Sequence, residues 1–229
     1  MLMTPAGVEQ MVAISKQHPN QTSPVERALR FHADKSALAQ VKKNQFTPEA
    51  MADKGCTANV LMLIENTLIC ANAGDSRCVL GEGGRALPMS TDHKPTQKRE
   101  RDRIYRAGST VNFEGRIDGN LNLSRAIGDI SHKRNAKLPL HEQAITALPD
   151  IKTHQMSSKT DFAIMGCDGI WETKTSQQIV DYVYIQMQRK VKLAKICEGL
   201  LDSLLSPNVM RTDGKGCDNM SVIIIDFRQ

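Results

Sequence analysis

Residues 162–172 constrain this chain more than any other stretch. Phe162-Ala163-Ile164-Met165-Gly166-Cys167 reads as a buried apolar strand, and it runs straight into Asp168-Gly169 and the only tryptophan, Trp171. A carboxylate at the mouth of a buried strand is costly unless a positive charge meets it. Hard divalent cations take carboxylate oxygens and are the usual partner. Gly169 lets the backbone turn sharply or come close to a ligand. The simpler reading is a strand ending in a turn whose Asp168 caps the next helix, because Asp and Gly dominate turns for local reasons.

Two other aspartates share that context. Residues 57–64 and 67–73 are apolar nearly throughout and are joined at Glu65-Asn66, the pattern of a hairpin. Apolar residues on both faces predict that both strands are covered on both sides. The second strand ends in Gly74-Asp75-Ser76-Arg77, and 78–80 starts another. Near the C-terminus, Cys217-Asp218-Asn219 precedes the apolar run 222–225. Strand ends in a sandwich gather at one edge, where three carboxylates repel one another unless a cation sits between them. Oxygen-only ligands fit Mg²⁺ or Mn²⁺ better than zinc or copper. Clustered aspartates with paired divalent ions suit the hydrolysis of phosphate esters.

The rest of the sequence narrows the field. A length of 229 residues with 40% hydrophobic and 24% charged residues fits one large soluble domain, or at most two, with a real core. The net charge of +5 is spread along the chain and only 4% of residues are aromatic. That argues against nucleic acid as a partner and for an acidic, phosphorylated substrate. None of the six cysteines forms a Cys-x-x-Cys pair, which sets zinc ribbons aside. Cysteines inside apolar runs point to a reducing, intracellular setting, cytoplasmic or nuclear. No signal peptide and no bilayer-length apolar run is present, so no membrane is expected.

Helices are expected over 24–43, capped by Ser23, and over 96–107, 176–189 and 193–205. The charge of 96–107 reads most simply as a solvated face. Short strands are expected at 110–113, 121–123 and 150–155. The irregular stretch 130–147 has the look of a lid or recognition loop. Antiparallel strands with interposed helices predict a layered α+β fold.

Eight blocks occur in order: GCTANV (55–60), NAGDSR (72–77), STDHKP (90–95), ERDRIYRAG (100–108), LNLSRAIGD (121–129), ITALPDI (145–151), MGCDGIW (165–171) and CDNMSVIIIDF (217–227). The series resembles the metal-dependent protein serine/threonine phosphatases of the 2C type. The resemblance implies an α/β/β/α sandwich of two antiparallel sheets, with the metal site at one edge between them. It implies that metal-activated water dephosphorylates phosphoserine and phosphothreonine proteins. A monomer is expected. Asp168 and Asp218 would be ligands of the core Mg²⁺ or Mn²⁺ pair. Asp75, with Asp168, would hold a third and weaker metal. Asp92, His93, Arg125 and Asp129 would brace loops through hydrogen bonds, and 130–147 would be the substrate-steering flap.

The chain also departs from the family pattern. Residues 1–53 hold no early strand with Arg and Glu and no Asp-Gly-His-Gly block, the family's source of the bridging Asp, the phosphate clamp and the proton donor. Glu172 stands where many members have Asp. The expectation is one N-terminally truncated domain over 1–229, matching best over 54–227, with its N-terminal strands missing. Only one side of the metal pair would be built, so the chain alone would have negligible phosphatase activity and open sheet edges. The alternative is a catalytically dead relative that acts as a binding or regulatory protein.

Overall fold

A computed structural model describes residues 54–208, 212 and 214–228. The helix expected over 24–43 lies outside them. Nine strands are formed among the described residues: β1 Gly55–Cys56, β2 Ala58–Ile64, β3 Thr67–Ala73, β4 Arg77–Glu82, β5 Arg85–Pro88, β6 Ile127–Gly128, β7 Asp150–Gln155, β8 Thr160–Gly166 and β9 Val222–Asp226. Three α-helices join them: α1 Lys98–Arg106, α2 Ser176–Gln188 and α3 Leu193–Leu204. The hairpin expected at Glu65-Asn66 is present, with Ile64 opposite Thr67.

All strand pairs are antiparallel and fall into two main sheets, β2-β3-β7 and β5-β4-β8-β9, beside a small β1-β6 ladder. The two-residue side-chain period decides which layer each residue joins. Cys78 and Leu80 of β4 and Ala163 of β8 meet Leu68 and Cys70 of β3 between the sheets. The alternate residues Val79, Phe162 and Ile164 point the other way and pack under α2 and α3, against Ile179, Val183, Ile196 and Leu200. The four-stranded sheet is therefore covered on both faces, which is why β8 is apolar at nearly every position. Thr175 caps α2, its hydroxyl accepting from the Gln178 N–H while the Gln178 side chain returns to the Thr175 N–H.

Three expectations need correction. The β2 strand is not covered on both sides: Val60, Met62, Leu63 and Ile64 stand about half-exposed. The strands expected near 110–113 and 121–123 reduce to isolated bridges of Val111 with Ile117 and Ile117 with Leu121. The charged helix α1 is not simply a solvated face, because Glu100, Arg103 and Ile104 are buried.

That buried face organises the loops beneath the site. Glu100 accepts two hydrogen bonds from Arg125, one from Arg103 at 2.7 Å and one from the Ser124 hydroxyl at 2.7 Å. Arg125 also donates to the Leu148 carbonyl and to Asp150. Arg103 donates to the carbonyls of Ser124, Gln143 and Ala144. Burial opposes the charge on Glu100, but the guanidinium of Arg125, Ser124 and Arg103 outweigh it and hold the carboxyl at about 2. The 130–147 stretch contains two short 3₁₀ turns, Ile130–Lys133 and Leu140–Glu142, and Gln143 ties it together through Asn135 and Leu138.

Candidate metal centre

Strand register brings the three sequence-predicted aspartates to one end of the four-stranded sheet. Arg77 at the start of β4 lies opposite Gly166 at the end of β8, and Gly166 lies opposite Val222 at the start of β9. Asp75 is two residues before Arg77, Asp168 two after Gly166, and Asp218 four before Val222. All three therefore project from the same end of adjacent strands. Asp75 is buried, Asp168 half-buried and Asp218 exposed.

Cys167 extends the β8–β9 ladder into the site. Its N–H donates to the Ser221 carbonyl, its thiol donates to the Asn219 carbonyl at 3.3 Å, and its sulfur accepts from the Ser221 N–H. Gly169 then lets the Asp168 turn lie directly on the Asp218 loop. A Cβ at position 169 would sit 2.7 Å from the Asn219 carbonyl oxygen and 3.4 Å from the Asp218 Cβ. Backbone cannot yield cheaply, so Gly169→Ala should push the two aspartate loops apart and destabilise the fold by about 1–3 kcal/mol. Urea unfolding checks that value.

The Asp75 loop is held from the other side. Gly74, at φ +118°, places its backbone where a Cβ would strike Thr57. The Gly74 N–H donates to His93 Nδ1 at 3.1 Å, and the His93 N–H donates to the Gly74 carbonyl at 3.0 Å. With Nδ1 accepting, the ring proton sits on Nε2, which faces Asp150 at 3.3 Å. Burial first, and then the charge of Arg125, lower the His93 pKa. A neutral ring is what this geometry needs, so His93 braces the loop. Arg77 adds a second brace: it grips Asp92 with two hydrogen bonds, donates to Ser176, and lies 5.1 Å from the centre of the Trp171 ring.

The electrostatics reflect this crowding. Asp168 is held above the usual carboxylate range, first by burial and then by the charges of Asp75 and Asp218. Lys94 and the Gly169 N–H relieve part of that pressure. Lys94 is the residue that sequence reasoning missed: its ammonium hydrogen-bonds Asp75 Oδ2. Its place in TDHKP, 19 residues beyond Asp75, gave no sign of the contact.

Among the described residues, no three His, Cys, Asp or Glu side chains converge closely enough to cage an ion by themselves. The donors nevertheless fit a hard divalent cation in kind. They are carboxylate oxygens, and Asp168 is crowded by like charge that a cation would relieve.

Comparison with known proteins decides the family. The model of the family described as Protein phosphatase 2C matches residues 7–212. The chain belongs to the protein phosphatase 2C family. It is 47% identical over 186 residues to human "Protein phosphatase 1G", covering 79% of this chain and 34% of that protein. It is 45% identical over 175 residues to "Probable protein phosphatase 2C 11" of Oryza sativa subsp. japonica, covering 76% of this chain and 48% of that protein. The chain thus spans less than half the length of either relative. Among solved structures, a phosphatase from a pathogenic strain of Toxoplasma gondii is 33% identical with a TM-score of 0.61, over 71% of this chain and 49% of that one. The serine-threonine phosphatase 2C from Toxoplasma gondii, at 16% identity and the same TM-score of 0.61, covers 98% of this chain and 76% of that one, and bears on the fold alone. The α+β sandwich expected from the sequence is the fold of this protein phosphatase 2C chain.

Proposed function

We propose that this chain is a single domain that carries the carboxylate side of a protein serine/threonine phosphatase site. Asp168 and Asp218 would hold Mg²⁺ or Mn²⁺, and Asp75 would hold a further, weaker ion with Asp168. Such an ion, when bound, lowers the pKa of its water so that hydroxide is available near neutral pH to attack a phosphoester. Phosphoserine and phosphothreonine proteins are the substrates. The observation that carries this reading is the β4–β8–β9 register, which gathers three aspartates and leaves Asp168 crowded by negative charge. The chain's own residues position that site. His93 and Gly74 fix the Asp75 loop, Cys167 and Gly169 lock the Asp168 turn to the Asp218 loop, and Arg77 anchors the segment between them.

The sequence contains no Asp-Gly-His-Gly block. Asp168 and Asp218 therefore supply one wall of a two-ion site, and these 229 residues alone are weakly active or inactive. A second reading, a binding protein without turnover, is favoured by one observation: Lys94 already meets the charge of Asp75. Binding and hydrolysis of a phosphoserine peptide with Mn²⁺ and with EDTA separate the two. The phosphatase reading expects peptide binding that Mn²⁺ strengthens and Asp168→Asn weakens, with hydrolysis slow or absent. Binding unchanged by Mn²⁺, by EDTA and by Asp168→Asn would establish the second reading instead.

A further inference from the structure

Lys94 combines a fixed root with a partly exposed tip. Its backbone is held on both sides. The neighbouring His93 exchanges hydrogen bonds with Gly74, the Ser124 N–H donates to the His93 carbonyl, and the Gln97 N–H donates to the Lys94 carbonyl. Its side chain is 35% exposed, whereas the Asp75 side chain that it meets is 5% exposed. Among the described residues, Lys94 is the only side chain that meets the Asp75 carboxylate. A buried carboxylate needs a cation, and here that cation is a flexible ammonium with an open path back to water. Its charge also reaches Asp168, where it opposes the push of Asp75 and Asp218.

We propose that Lys94 is a built-in counter-ion that occupies the cation position at Asp75 and sets the affinity of the divalent metal shared by Asp75 and Asp168. The proposal rests on the metal-binding reading of those aspartates. A divalent ion and the ammonium compete for one carboxylate. When the metal arrives, the Lys94 side chain moves to solvent; when the metal leaves, Lys94 closes the charge and keeps the Asp75 loop intact. The ammonium thus keeps the site closed at low metal concentration without unfolding it.

Mn²⁺ titration of the 229-residue chain by calorimetry tests this. Lys94→Met should bind Mn²⁺ about tenfold tighter than the wild type, the effect of removing one competing charge at a partly exposed site. Lys94→Arg, which keeps the charge, should match the wild type, and the double variant with Asp75→Asn should lose the gain. Acetylation of Lys94 in the wild-type chain, followed by mass spectrometry, should rise as Mn²⁺ is added. This readout does not depend on whether a variant folds. Equal or weaker Mn²⁺ binding by Lys94→Met, with the wild type binding normally, would overturn the proposal and leave the metal site standing. Lys94 reactivity that stays constant at saturating Mn²⁺ would overturn it too. Mn²⁺ binding by neither the wild type nor Lys94→Met would overturn both the proposal and the reading beneath it.

Discussion

Arg125→Met should cost the fold about 3–5 kcal/mol, the usual penalty for removing one partner of a buried ion pair. A domain of ordinary stability has only about 5–15 kcal/mol in total, so the variant should sit near its unfolding limit at room temperature. Methionine fills much of the volume but replaces none of the donors. Glu100 would lose its two-point partner, Asp150 a cation, and the Leu148 carbonyl its hydrogen bond. Urea unfolding measures the loss. A cost below about 1 kcal/mol would mean that Arg103 and Ser124 alone suffice for Glu100 and that Arg125 is dispensable to the network.

The same network fixes an acid limb. Glu100 is held at about 2, below its value in the unfolded chain. Its contribution is therefore complete above the ordinary glutamate range near pH 4.3 and disappears as pH falls through about 2. Unfolding monitored between pH 2 and 7 should show that loss in the wild type, and a shallower one in Arg125→Met, where the Glu100 pKa moves back up.

Asp168→Asn should act in two opposite directions. The Asp168 carboxyl is held above its usual range by burial and by Asp75 and Asp218. For a carboxyl raised in this way the sign is the reverse of Glu100. The folded state disfavours the ionised form, and the penalty is relieved as pH falls. Removing the charge should therefore raise the melting temperature of the metal-free protein by a few degrees. The wild type should gain stability with Mn²⁺, by about 2.7 kcal/mol at a hundredfold excess over Kd. The variant should gain nothing. A melting temperature that falls in EDTA, or one that still rises with Mn²⁺, would show that Asp168 does not have this role.

How much of the fold and site was legible in the sequence depends on which physics set each feature. The hairpin, α2, α3 and the strand before Asp168 arise from local periodicity and turn chemistry, so they could be read directly. The three aspartates were legible because each flanks an apolar run, and antiparallel register then had to bring them together. The buried face of α1 was not legible. Glu100 and Arg103 are tolerated inside only because Arg125 and Ser124, 21 to 25 residues away, meet them. Periodicity records polarity and carries no trace of such a partner. Lys94 was hidden for the same reason. The half-exposed side of β2 was misread because an apolar run states which residues prefer burial, and cannot state what lies over them.

The central claim is that Asp168 and Asp218 form a cation site. Calorimetric titration of Mn²⁺ into the 229-residue chain and into its Asp168→Asn and Asp218→Asn variants tests it most directly. The expected result is a binding event in the wild type that both substitutions abolish. Equal affinity in all three proteins, or no binding in the wild type, would contradict it.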